Sequence, residues 1–169
     1  MTLTPRFRKL MLMAHVTASV GWLGAVAGFL ALAIAGVASD DVETVRAAYL
    51  AMETVGWSVL VPLSIASLVT GLVQALGTTW GLVRHYWVVI KFLLTIVATT
   101  VLLLYMSSLG DLVTALAAET TDPVALRSAS PVLHGAAASV LLLVATTLGI
   151  YKPRGMTRYG RRYQSGPPN

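Results

Sequence analysis

Residues Leu10 to Ala38 read LMLMAHVTASVGWLGAVAGFLALAIAGVA, an apolar run holding a single ionisable side chain, His15. A helix of about 20 residues, rising 1.5 Å per residue, crosses a hydrocarbon core, and this run exceeds that length. Arg6, Arg8 and Lys9 precede it and Gly36-Val37-Ala38 ends it, as in a cleavable signal peptide. A signal peptide, however, has an apolar region of only about 7 to 15 residues. The run therefore predicts a transmembrane helix over about 10–38. Composition agrees: 56% of the 169 residues are hydrophobic and 11% charged, whereas roughly a quarter are charged in a soluble domain.

Three more apolar runs follow. Ser39, Asp40 and Asp41 supply turn and N-cap chemistry, with Glu43 in the first turn where the helix dipole favours negative charge. The second helix spans about 41–77, and Pro62 within it predicts a kink near Ser58 because proline lacks an amide hydrogen and crowds the preceding turn. The third spans about 86–108, opened by the interfacial aromatics Tyr86 and Trp87. Leu112, Val113 and Leu116 suggest that it extends, and Asp122-Pro123 reads as a cap. The fourth spans about 131–151. Residues 1–151 thus form an all-α, polytopic four-helix bundle, and 152–169 form a basic tail, expected to be mobile chain beside anionic lipid.

Charge sets the expected topology. With a cytoplasmic N-terminus, four crossings put Arg6, Arg8, Lys9, Arg84 and the five basic tail residues inside, against Arg46 and Arg127 outside. All seven acidic residues fall outside. Both termini are expected in the cytoplasm. The net charge of +5 arises mainly from residues flanking apolar runs, so it points to topology and anionic headgroups, not to nucleic acid. There is no cysteine, which removes disulfides, thiolate ligands and cysteine nucleophiles.

Between lipid-embedded helices, small residues permit close approach. Gly24 and Gly28 form a GxxxG on the first helix, and Gly135 and Ser139 a small-xxx-small pair on the fourth. Packing within the bundle and homodimerisation are both open for them.

Few residues carry chemistry. His15 lies about a turn and a half from the cytoplasmic face and His134 about one turn from the outer face. A separation on the order of 20 Å keeps the two from one metal. His15, His85 and Lys91 form a candidate cytoplasmic-side group, with Ser19 and Trp22 on the face of His15. His15 is open to haem or metal ligation, with His85, Met11 or Met13 opposite, to proton handling, or to a structural hydrogen bond. Lys91 can snorkel or bind an anionic group such as a propionate or lipid phosphate. On the outer side, Glu53 and His134 form a second candidate pair if helices two and four adjoin. Tyr105 and Met106 are near that region. There is no phosphate loop, no HExxH and no nucleophile with a base beside it, and mid-membrane acidic residues of a pump are absent.

The segments HVTASVGWLGAVAGFLAL and GLVRHYWVVIKFLLTIVATTVLLL resemble uncharacterised small actinobacterial four-helix integral membrane proteins. The pattern His-x6-Trp-x-Gly, here His15, Trp22 and Gly24, with Lys91 early in a later helix, is more distantly similar to CopD-like copper-resistance proteins and four-helix membrane protoporphyrinogen oxidases. That resemblance implies a bacterial cytoplasmic (inner) membrane and haem, porphyrin or copper chemistry in the bundle. Tyr105 stands where a second histidine is expected, so a bis-histidine haem site lacks its partner. Two readings remain. One is a haem- or metal-binding redox protein or accessory with its site around His15. The other is a non-catalytic subunit or scaffold, as a homodimer or in a larger membrane complex.

Overall fold

The computed structural model describes residues 4–78, 81–117 and 127–164. Every element among them is helical: α1 (Pro5–Ala38), α2 (Val42–Val55), a π-helical turn (Gly56–Leu60), α3 (Val61–Gly77), α4 (Tyr86–Ala117), α5 (Ser130–Tyr151) and α6 (Arg158–Gln164). Four stretches are long and apolar enough to cross a membrane: α1, the continuous helix Val42–Gly77, α4 and α5. The expected Asp122-Pro123 cap lies outside the described residues.

Boundaries follow local chemistry. Pro5 starts α1 ahead of the apolar run, at a position where a missing amide hydrogen does no harm. Asp41 caps α2, accepting from the Thr44 amide at 2.9 Å and its hydroxyl at 2.7 Å. Those bonds hold the exposed Asp41 carboxyl below its ordinary value. α4 runs through Gly110 to Ala117, beyond the expected end near 108. The cause is packing: Leu109 and Val113 are buried in the cluster that holds Val45, Tyr49 and Met52 of α2.

The irregularity expected from Pro62 is a π turn. The Val61 amide reaches back to the Gly56 carbonyl, one residue beyond α-helical reach, as in the π-bulges found inside α-helices. Gly56 in this turn leaves room for Met106 of α4, since a methyl group on it would collide with the Met106 thioether. Met106 is completely buried.

The crossings run up and down around a square. α1 packs on α2–α3 and on α5, and α4 packs on the same two neighbours. α1 and α4 are therefore diagonal, as are the second crossing and α5. Large apolar side chains such as Leu104, Leu133 and Ile150 point outward, each about two-thirds exposed (67–70%), the surface expected of a bundle in a hydrocarbon solvent.

Of the two small-residue motifs, the one on α5 makes the close contact and the GxxxG on α1 does not. Nothing lies within 4 Å of a methyl placed on Gly24 or Gly28, so this GxxxG faces outward and takes no part in the bundle. Gly135 does: a methyl there would sit 3.3 Å from Leu30 Cβ and 3.5 Å from Leu30 Cα.

The tail is ordered over the described residues. The Thr157 amide donates to the Arg84 carbonyl at 3.0 Å, its hydroxyl donates to the Val83 carbonyl at 2.6 Å, and Met156 forms an antiparallel bridge with His85. The expectation of mobile chain fails for 152–164 because the segment completes the backbone hydrogen bonds of the α3–α4 connector. At the opposite, acidic end, Arg127 pairs with Asp40 at 3.1 Å, and the Ser128 amide donates to the Tyr49 hydroxyl at 3.2 Å.

Gly135→Val will wedge α5 from α1 and destabilise the protein by about 1–3 kcal/mol. Gly24→Ala and Gly28→Ala will be neutral or mildly stabilising, by up to about 1 kcal/mol from helix propensity. Unfolding in a mixed-micelle titration reads both. The Asp41 cap supports a depressed carboxyl, so its stabilisation is complete above the ordinary carboxylate range and fades as pH falls through the depressed value. Asp41→Ala will lower thermal stability at neutral pH and narrow its gap to wild type in acid, read by melts across pH.

Candidate functional site

At the end of the bundle carrying the N-terminus, α1 meets α3 through a ladder of polar contacts. His15 Nδ1 lies 3.1 Å from the Ser67 carbonyl and 3.2 Å from Thr70 Oγ1. Since a carbonyl only accepts, Nδ1 carries the proton and the neutral ring keeps its lone pair at Nε2. One turn along, the Ser19 and Ser67 hydroxyls are 2.8 Å apart. One turn the other way, Gln74 Nε2 donates to the Met11 carbonyl at 3.0 Å. Met11, His15 and Ser19 are spaced by four on α1, so their contacts stack along one face.

The imidazole lies against Gly71, where a methyl would stand 3.0 Å from His15 Cε1. Lys91 reaches the same neighbourhood from the diagonal helix α4. Its ammonium lies against Gly149 of α5, 3.0 Å from where a methyl would be. Among the described residues Lys91 has no carboxylate partner; the ion pair formed there is Arg127–Asp40. Two ionisable groups from diagonal helices thus lie partly buried in this half of the bundle, each against a glycine.

The other predicted members are elsewhere. The His85 backbone is engaged with Met156 at the connector. Trp22 is 2% exposed and packs in the central core with Val26 and Phe29. Ser67, Thr70, Gly71 and Gly149 were not singled out from the sequence. The first three had a legible signal, since with Gln74 they form a polar and small stripe at spacings of three, four and seven on the second crossing.

The donor set bears on cofactors. Among the described residues no three His, Cys, Asp or Glu side chains converge. The protein offers one imidazole with Nε2 available and one ammonium. A haem needs one or two axial ligands, and its carboxylates suit a cation; His15 and Lys91 supply one donor of each kind. The Nδ1 hydrogen bond to a carbonyl is the usual way such an imidazole is oriented.

At the acidic end, Glu53 and His134 are not brought together. Their helices are diagonal, and Glu53 Oε1 lies by Gly110 of α4, 3.5 Å from a methyl placed there. His134 Nδ1 donates to the Ser130 carbonyl at 2.8 Å. Its ring stacks on Tyr105, centroids 4.2 Å apart and planes 23° apart, and Tyr105 meets Phe29 edge-on at 6.3 Å. The Tyr105–His134 stack borders an apolar cavity of about 200 Å³ between α1, α4 and α5.

Ser19→Ala and Ser67→Ala, alone and together, will show a coupling of about 0.5–1.5 kcal/mol in a double-mutant cycle of unfolding. A coupling near zero would mean that this hydrogen bond does not hold α1 to α3. Comparison of the chain with protein-family models, with curated proteins and with solved structures finds no match.

Proposed function

We propose that this protein is an integral protein of the bacterial cytoplasmic membrane, with both termini in the cytoplasm, that holds a haem-type tetrapyrrole in its cytoplasmic half as a redox protein or accessory. The observation supporting this most is that His15 of α1 and Lys91 of α4 both lie partly buried in this half of the bundle, His15 held by the Ser67 carbonyl and Lys91 without a carboxylate among the described residues. Ionisable side chains inside a membrane are costly and mark functional sites by default. Here neither is neutralised by a carboxylate among the described residues.

Each group has a role in this reading. His15 would supply Nε2 to the iron, while the Ser67 carbonyl and Thr70 fix its tautomer and orientation. Lys91 would pair with a tetrapyrrole carboxylate. Gly71 and Gly149 keep bulk away from both side chains. Bound haem would supply one-electron chemistry, tuned by its axial ligand and the burial around it. Orientation follows from the concentration of Lys and Arg at the end bearing both termini, where the tail's arginines meet anionic headgroups.

The polar ladder favours a second reading, a non-catalytic subunit or scaffold. Ser19–Ser67 and Gln74–Met11 are the interhelical hydrogen bonds by which membrane helices associate, and His15 belongs to the same row. Under that reading its ring is a packing element, and the protein acts through contacts with a larger complex.

Optical spectra separate the two. Gently purified protein, oxidised and dithionite-reduced, will show a Soret band corresponding to about one haem per chain. His15→Ala will abolish it, and Lys91→Met will weaken haem affinity by about tenfold, the worth of one charge-assisted bond. His134→Ala, at the other end, will leave it unchanged. No Soret band, under a preparation that retains haem in a control cytochrome, would leave the subunit reading.

A further inference from the structure

We propose that the cavity between α1, α4 and α5 is a binding site for a neutral, lipid-dissolved molecule of the quinone or quinol class, its ring held in the cavity and its apolar tail leaving between α4 and α5. This site is independent of the His15 reading. It lies toward the other end of the bundle and shares no residue with the His15–Lys91 group.

Size comes first. A dry apolar cavity of about 150 Å³ accommodates one benzene ring. The present one, about 200 Å³, takes a single substituted ring but not a tetrapyrrole. Its walls are Trp22, Val26 and Phe29 of α1, Ala98 of α4, and Gly135 and Ala138 of α5. The hollow exists because small residues on α4 and α5 face aromatic residues on α1.

Access comes from the side. Val97 and Val101 line the cavity yet are 51% and 45% exposed on the outer surface of α4. The cavity therefore opens at the α4–α5 seam, onto the surface that faces lipid. A ligand dissolved in the hydrocarbon enters there without crossing water. An open hollow of about 330 Å³, lined in part by Leu104, Ser108 and Ser130, adjoins the Tyr105–His134 stack.

The polar groups select the head. Tyr105 and His134 face both hollows, and Ser130 joins them, its hydroxyl 3.3 Å from His134 Nδ1. Among the described residues no Lys, Arg, Asp or Glu lines either hollow, so an ionised head such as a phosphate or carboxylate would be buried there without a counter-charge. The cap matches a neutral ring oxygen in both its forms. A carbonyl accepts from the Tyr105 phenol, and a hydroxyl donates to His134 Nε2, which is the lone-pair nitrogen because Nδ1–H is given to the Ser130 carbonyl. The flat Tyr105–His134 stack favours a planar ring over a flexible glyceride.

Trp22 in the cavity wall provides the readout, because quinones quench indole fluorescence. The full-length protein in phosphatidylcholine nanodiscs is titrated with a decyl-benzoquinone. Quenching is expected to contain a saturable component of about one site per chain, absent in Trp22→Phe. Tyr105→Phe, which keeps the ring, and Ala138→Phe, which fills the hollow, will each weaken it by about tenfold or more. His15→Ala will leave it unchanged, so loss of the haem reading and loss of this one are told apart. Purely linear quenching, equal in wild type and Trp22→Phe, would show partition into lipid only and overturn the proposal. Equal competition by decanoic acid or decanol would overturn the assignment of the head. If Ala138→Phe does not fold, the comparison of Tyr105→Phe with wild type decides.

Discussion

Apolar helices in a hydrocarbon solvent gain nothing by hiding from it, so their association rests on close contact and on hydrogen bonds that the lipid cannot supply. In this bundle both are concentrated where α1 meets α3. His15 and Ser19 reach the Ser67 backbone and side chain, Gln74 reaches the Met11 carbonyl, and Gly71 lets the imidazole ring lie against the helix. That row fixes the rotation of α1. Once it is fixed, Trp22, Val26 and Phe29 point into the centre, Gly135 of α5 meets Leu30, and Gly24 and Gly28 are left facing outward.

The second crossing answers with a device of its own. Pro62 withholds an amide, and the chain absorbs the lost bond as a π turn, which shifts the register of everything N-terminal to it. Gly56 in that turn admits Met106, seating the turn against α4 just ahead of the extension that Leu112, Val113 and Leu116 suggested. Hence Leu109 and Val113 remain buried and the helix continues through a glycine. The same π turn contributes Leu60 to the wall of the central cavity.

The four crossings were legible in the sequence because length and hydropathy in lipid leave few alternatives. His15 and Lys91 were legible because charge in such a run is conspicuous. Their partners were not. Ser67 and Thr70 are ordinary residues of a membrane helix until the rotation of α1 is known, and Gly71 and Gly149 look like generic packing residues. The GxxxG of Gly24 and Gly28 shows the converse: spacing identifies a face on which close approach is allowed, but not whether a neighbour uses it. Likewise Glu53 and His134 lie at compatible depths, yet depth says nothing of which helices adjoin, and the square arrangement separates them by a diagonal. The tail was misjudged from its polarity, because backbone pairing between residues 83–86 and 155–157 leaves no trace in composition.

The two ends of the bundle differ in the charge they can tolerate, and this argues that they do different things. Lys91 has no carboxylate partner among the described residues, and His15 on the diagonal helix keeps a ring nitrogen beyond its bond to the Ser67 carbonyl. In the haem reading these two groups take an anion and a ligand that uses the neutral imidazole. Tyr105, Ser130 and His134 form the opposite environment, a cluster of neutral hydrogen-bonding groups bordered on one side by apolar walls. A ligand suited to one would be poorly held at the other: a carboxylate placed against Tyr105 would lack a counter-charge, and a neutral ring beside Lys91 would leave the ammonium uncompensated. Discrimination of this kind arises from the cost of burying a mismatched group, and it requires no contact between the sites. A single small bundle can therefore keep two ligands of different chemistry apart.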